Sequence, residues 1–388
     1  MKYLFSLVIV GFIQVEYGYS GGLGRVDQAI SLLKVEISSL VQIVAADEQA
    51  SAIREMVKKP VFDSLSVDEK KQLVANYAAY MTETGFDGQT FKTPKERELN
   101  YHVFLKIAHV LIPEVAICSY FYDCYEKNVI NLKGLNELIA CYNSKEKYKD
   151  QLNSAVAISV DDLGNQLSAL SELEQGEKLL LVNIYQKHIT PVFMRKYLDK
   201  TDVIIMDSLG DAYSSYRWGT KIEQMIRKHS LGKVGNPINI YKVYEKRQND
   251  GSSCPIFSMR DLLEHTKVDM FKFVQSEKEN IRSHPGCDTS SGTYLIDRLP
   301  ARFIKVAQHV ETIERYMDSA ERVSSPSKTH GGDSGEARTL KQVKGEYCSP
   351  ADYVRKRAYK YYQVLINKIL GLDSSRIQVS DGQKVLMR

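Results

Sequence analysis

The stretch Gln248 to Met259, QNDGSSCPIFSM, decides how the rest of the chain is read. Asn249, Asp250, Gly251, Ser252 and Ser253 form a polar, turn-forming run that delivers one cysteine, Cys254, to the start of an apolar stretch. Upstream, INIYKVYEK (238–246) is β-branched and aromatic and reads as a strand. Downstream, Ile256, Phe257, Met259, Leu262 and Leu263 recur at helical spacing. Cys254 is therefore expected where a loop becomes a helix. Ser252 or Ser253 can cap that helix, and Pro255 suits its first turn, where no N–H is needed. A thiol at a helix N-terminus meets the positive end of the dipole, which favours thiolate. Gln248, six residues upstream, can turn an amide N–H toward an oxyanion.

A nucleophilic cysteine needs a base and a group that orients the base. KLLLVNIYQKH (178–188) reads as a buried strand running into His188. Nineteen residues on, DVIIMDSLG (202–210) sets Asp207 at the end of a second short apolar strand. Strands ending at one edge of a sheet bring both side chains beside Cys254. Pro191 is awkward in a central strand, which predicts an edge position or a bend there. His229 and His265 are rival bases, but His265 falls about three turns into the helix after Cys254 and points away from the thiol. Each residue alone has an ordinary structural explanation. The chemistry is carried by their combination, in the chain order His, Asp, Gln, Cys.

That order and the Gln-x5-Cys spacing resemble the ubiquitin-like-protease clan of cysteine enzymes. Within the clan, the chain from about Leu132 to Leu370 resembles more closely the YopJ family of bacterial effector acetyltransferases. The likeness lies in the His-to-acid spacing, in QNDGSSCPIF, in LPARFIKVAQ (299–308), which is similar to that family's LPxxFxKxxQ segment, and in the basic run YVRKRAYKYYQVL (353–365). The resemblance implies Cys254 as nucleophile, His188 as base, Asp207 as orienter and Gln248 as oxyanion donor. It implies acetyl-CoA as donor and Ser, Thr or Lys of host signalling proteins, such as kinases, as acceptors. It also implies a polyphosphate activator, inositol hexakisphosphate, held by Lys305, Arg355, Lys356, Arg357 and Lys360. The protein is then expected to be secreted and to act in the host cell cytoplasm. Three positions depart from the family pattern: Pro255 stands where Gly is usual, Asp207 where Glu is often found, and His309, Val310 and Glu311 replace basic residues after Gln308. Two other readings stay open on the residues alone. One is a ubiquitin-like-protein cysteine protease with the same triad; such enzymes commonly carry Trp after the catalytic His, where this chain has Ile189. The other is a binding module inactivated by Pro255.

The remaining sequence sets the frame. Alternating strands and helices from Leu135 onward predict an α+β fold, a central sheet covered by helices. A net charge of +4 does not imply bulk nucleic-acid binding. The six cysteines, at 118, 124, 141, 254, 287 and 348, show no metal-ligand spacing and no disulfide framework. His102 and His109 read as surface or satisfied histidines. Residues 1–20 read as an export signal, with Lys2, a short apolar run and the small residues Gly18 and Ser20 at cleavage positions. No other stretch reads as a membrane span. Residues 21–95 read as a helical extension, with a Ser-x-x-Glu capping box at Ser66 opening one helix. Residues 96–280 then form the catalytic part and 281–388 a regulatory part. In the latter, 299–317 and 352–370 are expected as helices and the Ser/Gly-rich 323–346 as a mobile loop, with a second loop over 283–293.

Overall fold

In the run Lys178–Ile184, Leu179 and Leu181 point to one side of an extended chain and Leu180, Val182 and Ile184 to the other. Both sets are apolar, so the strand needs cover on both faces. The computed structural model describes residues 24–83, 94–122, 129–210, 218–230, 237–283, 292–320, 339–344 and 350–372. The expected signal segment lies outside these residues, as do most of 323–346 and of 283–293.

The chain enters with α1 (Arg25–Leu40), α2 (Ala46–Val57), α3 (Pro60–Asp63), α4 (Val67–Glu83) and α5 (Pro94–Leu111). A two-stranded ribbon, β1 (Phe121–Tyr122) with β2 (Val129–Ile130), leads to α6 (Leu132–Asn143). Then follow β3 (Ala155–Ser159), α7 (Leu163–Ser171), β4 (Gly176–Ile184), β5 (His188–Lys196), β6 (Thr201–Ile205), α8 (Trp218–Ser230) and β7 (Ile238–Val243). Last come α9 (Cys254–His265), α10 (Met270–Ser276), β8 (Ile281–Ser283), β9 (Thr293–Ile296), α11 (Ala301–Ile304), α12 (Val310–Glu314), α13 (Leu340–Lys344) and α14 (Pro350–Ile369).

The fold is α+β, built on a mixed seven-stranded sheet in the order β3-β4-β5-β6-β7-β9-β8. One face, with Leu180, Val182, Val192, Met194, Val203 and Ile240, is covered by Leu163, Leu167 and Leu170 of α7 and by Trp218, Ile222 and Ile226 of α8. The other face, with Leu179, Leu181, Ile189, Phe193 and Ile204, packs on α9. Every residue of α9 is buried. The same apolar cluster runs on into α1, α4, α5 and α14, and α14 packs against α4, α6 and α9. Each large apolar side chain so buried contributes about 1.5–3 kcal/mol. No single helix among the described residues is long and apolar enough to cross a membrane.

Local signals explain several boundaries. The capping box forms reciprocally at α4: the Ser66 N–H donates to Glu69 Oε2 (2.8 Å) and the Glu69 N–H to Ser66 Oγ (3.2 Å). The 299–317 segment is not one helix but two short ones, α11 and α12. Between them the backbone N–H groups of Gln308 and His309 donate to the Arg247 carbonyl (2.6 and 3.3 Å), which takes them out of helical pairing. Gly210 has φ +69°, and a Cβ there would lie 2.6 Å from the Tyr244 carbonyl oxygen, so the turn after Asp207 requires glycine.

Candidate active site

His188 does not end a strand, as 178–188 had suggested. It opens β5 after a tight hairpin. Tyr185 and Gln186 take left-handed backbone angles (φ 51° and 58°), and the Lys187 N–H donates to the Ile184 carbonyl (2.9 Å). Such angles cost a non-glycine residue roughly 1–2 kcal/mol, carried here by pairing along β4 and β5. β6 runs antiparallel to β5 and stops at Ile205, so Asp207 falls beside the start of β5. His188 Nε2 lies 2.8 Å from Asp207 Oδ1, which also accepts the Leu209 N–H at 3.0 Å. The Cys254 thiol lies close enough to the same imidazole to act on its proton affinity. With Nε2 committed to Asp207, Nδ1 is the nitrogen left for the thiol. Trp218 stacks on the ring, with centroids 5.9 Å apart and planes 19° from parallel. The structure thus brings His188, Asp207 and Cys254 together. His265 is elsewhere, stacked on Phe193 (4.5 Å) with Nε2 3.3 Å from Glu177.

Cys254 is the first residue of α9, with Pro255 in its first turn. The cap differs from expectation. Ser253 occupies the N-cap position without a side-chain capping bond, because its hydroxyl donates to Asp250 Oδ2 (2.6 Å). Asp250 organises the loop instead, its Oδ1 accepting the N–H groups of Ser252 (3.0 Å) and Ser253 (2.7 Å). Gln248 also faces inward: its amide donates to the Asp250 carbonyl (2.6 Å) and accepts from the Ser208 hydroxyl (2.7 Å). The expected oxyanion donor is therefore engaged within the loop. Ser258 Oγ donates to the Ile189 carbonyl (3.0 Å), fastening α9 to β5 one residue from His188. A cavity of about 160 Å³ lies against this loop, walled by Ser252 and Ser253, by Glu98 and Tyr101 of α5, and by Arg355, Tyr359 and Tyr362 of α14.

Pro191 sits in a central strand, not at an edge, and the ladder shows how it is tolerated. The Met206 N–H donates to the Pro191 carbonyl (2.9 Å), but Pro191 has no N–H to return to the Met206 carbonyl. Arg247 fills that vacancy: its Nη2 donates to the Met206 carbonyl at 3.1 Å. The guanidinium is fully buried and makes a two-point pair with Asp261 of α9, at 2.6 and 2.8 Å. Arg247 thus joins the end of β6, one residue before Asp207, to the nucleophile helix. Sequence reading missed this role, although the proline in a buried run was its signal.

Electrostatics follow from burial and charge. Burial alone disfavours the imidazolium, but Asp207, by charge and hydrogen bond, with help from Cys254, lifts the His188 pKa to about 10. Burial opposes ionisation of Asp207, yet the His188 charge, the Leu209 N–H and Arg247 hold its carboxyl below the usual range. A raised histidine pKa stabilises the fold fully below its unfolded value and loses that contribution as pH rises through the folded value. Stability should therefore decline from about pH 6.5 to about pH 10, and Asp207→Asn should flatten that slope. Denaturant titrations across this window check it; an equal slope in both proteins would exclude the linkage.

The five expected polyanion contacts do not share one face. At 3.6 residues per turn, Arg355 and Arg357 stand about 200° apart on α14. Arg355 lines the cavity beside the nucleophile loop, Lys356 and Lys360 are exposed, and Lys305 follows α11 half-buried. A basic cluster not foreseen from the sequence lies at the far end of α9. There Glu264, fully buried, pairs with Arg260, with Lys267 (2.9 Å) and with Arg302 (3.0 Å). Arg260 and Arg357 both act on the Tyr142 and Tyr148 hydroxyls, which sets Arg357 on this side. Burial, then the charge of Arg260, push the Lys267 ammonium down to about 8. Three cations thus share one carboxylate.

A search of curated proteins finds no match. Among solved structures, AvrA delL154 with IP6 and CoA aligns at a TM-score of 0.45 and 19% identity, over 60% of this chain and 87% of that one. HopZ1a in complex with IP6 and CoA aligns at 0.45 and 13%, over 76% and 98%. HopZ1a in complex with IP6 aligns at 0.42 and 11%, over 61% and 83%. The assignment rests on the family model described as YopJ Serine/Threonine acetyltransferase, which matches residues 125–361. That span takes in His188, Asp207, Gln248, Cys254, the 299–308 segment and the basic part of α14, and the chain belongs to the YopJ serine/threonine acetyltransferase family.

Proposed function

We propose that the protein moves an acetyl group from acetyl-CoA, through Cys254, to a Ser, Thr or Lys side chain of host signalling proteins such as kinases. The observation that carries this reading is one imidazole bonded to a carboxylate and set beside a thiol at a helix start, inside a chain of an acetyltransferase family. In the first step His188 takes the thiol proton and the sulfur attacks the thioester carbonyl. The CoA thiolate departs and receives that proton. In the second step His188 takes the proton of the acceptor hydroxyl or amine, which attacks the acetyl-cysteine and releases the Cys254 thiolate. Cys254 is one of the groups raising the His188 pKa. Acetylation removes that influence, so His188 sheds its proton more readily and is free to take one from the acceptor. Asp207 holds the ring and its tautomer. Gln248 serves the oxyanion once its amide turns from the Asp250 carbonyl.

CoA and IP6, the ligands named with the solved structures above, are proposed here as substrate and activator. The fit of the activator rests on the excess positive charge around Glu264, since partly buried cations without matching anions are costly. Arg260, Lys267, Arg302 and Arg357 would hold a polyphosphate, with Lys305 approaching from α11. Secretion and action in the host cytoplasm belong to the same proposal.

The test is intact mass after incubation with acetyl-CoA, with and without IP6. One hydroxylamine-labile acetyl group on Cys254 is expected, formed faster with IP6. At one hundred times its Kd, a ligand of the folded state adds about 2.7 kcal/mol of stability, so Tm should rise. Lys267→Gln with Arg357→Gln should remove the IP6 response, whereas Lys356→Gln with Lys360→Gln should mainly weaken its salt dependence. Calorimetry showing no binding at low salt, where such contacts are strongest, would refute the activator. A second reading, a ubiquitin-like-protein protease, is favoured by the Trp218 stack on His188, which sets a tryptophan against that ring although Ile189 follows it in sequence. Cleavage of a ubiquitin-like substrate without an acetyl-enzyme would select it.

A further inference from the structure

We propose that Gln308 is a positioning residue for Cys254, and that through it the 299–308 segment clamps the nucleophile helix at both ends. The segment's far contact is Arg302, whose Nε donates to Glu264 near the C-terminal end of α9. Its near contact is Gln308, which is 9% exposed. Its backbone N–H donates to the Arg247 carbonyl (2.6 Å), and its own carbonyl accepts from Asn249 Nδ2 (3.2 Å). Its side-chain oxygen accepts the Asn249 N–H (2.9 Å), and its side-chain nitrogen donates to Asp250 Oδ2 (2.6 Å). Asp250 passes the constraint on to the Ser252 and Ser253 N–H groups, and the next residue is Cys254. The route from segment to Ser253, the residue before Cys254, is thus a continuous run of hydrogen bonds.

The position demands an amide. It needs one acceptor, for a backbone N–H, and one donor, for a carboxylate. Gln308→Glu keeps the acceptor and sets a second carboxylate against Asp250. Two ionised carboxylates this close repel and lose the bond near neutral pH, and as pH falls through the raised pKa of one of them a shared proton restores it. Asp250→Asn combined with Gln308→Glu restores it differently. The new amide at position 250 keeps its oxygen for the Ser252 and Ser253 N–H groups. It presents its nitrogen to the new carboxylate at position 308, while the Ser253 hydroxyl turns to accept.

The kinetic part of this proposal rests on the acetyltransferase reading; the exchange part does not. Hydrogen exchange in full-length protein is followed over the peptide containing Asn249 to Ser253. Gln308→Glu should exchange roughly tenfold to a hundredfold faster than wild type near neutral pH, as expected for losing a hydrogen bond to a charged group. The difference should shrink as pH falls, and the double variant Asp250→Asn with Gln308→Glu should return to near wild-type protection. In acetyl transfer, kcat should fall with little change in KM, with the same pH trend and the same recovery in the double variant. Unchanged exchange in Gln308→Glu, or a double variant no better protected than Gln308→Glu, overturns the proposal. Wild-type protein without acetyl transfer, but with the exchange pattern intact, overturns the acetyltransferase reading and leaves the clamp standing.

Discussion

Cys254→Ala should carry no acetyl group after exposure to acetyl-CoA, and its transfer rate should fall by on the order of 10⁴ to 10⁶, the scale seen when a covalent nucleophile is deleted. The fold should survive. Cys254 is 3% exposed at the first residue of α9, and alanine is a good helix former that removes only one sulfur from the packing. Cys254→Ser should regain little, because a serine hydroxyl is far less acidic than a thiol and His188 cannot hold it ionised. Single-turnover assays with intact mass read the first claim, and urea unfolding reads the second. Transfer near the wild-type rate in folded Cys254→Ala would remove the sulfur from the mechanism.

Arg247→Met should lower stability by about 3–5 kcal/mol, the range for removing one partner of a buried ion pair. Asp261 would remain buried without its guanidinium, and the Met206 carbonyl would lose the donor that Pro191 cannot supply. Arg247→Met with Asp261→Leu should recover most of that stability, since two apolar side chains can replace a buried pair at little cost. Activity should stay low in the double variant, because the end of β6 carrying Asp207 has lost its tie to α9. Adding Pro191→Val returns a backbone N–H opposite Met206 and should restore part of it. Urea midpoints and initial rates separate the two effects. Full activity in the stable double variant would show that the tie does not position Asp207.

Features legible in the sequence were those fixed by neighbours in sequence. Cys254 at a loop-to-helix junction followed from Gly251, the serines and Pro255. The α4 start followed from Ser66 and Glu69. The hairpin before His188 was not legible, because Tyr185 and Gln186 look like strand residues and only pairing of β4 with β5 forces their angles. The break after α11 was hidden for a similar reason: Gln308 leaves helical pairing for Arg247, a residue remote in sequence. The basic run of α14 read as a single patch because charge counts ignore helical angle; Arg355 and Arg357 turned to different surroundings.

The chain contains a single tryptophan, and it is the residue stacked on His188. Protonated imidazole quenches indole emission more strongly than neutral imidazole. The steady-state fluorescence of the unmodified protein is therefore an optical readout of one proton, free of background from any other indole. Emission should brighten when Cys254 is acetylated and His188 gives up its proton, so each half of the catalytic cycle can be timed by stopped flow without a label.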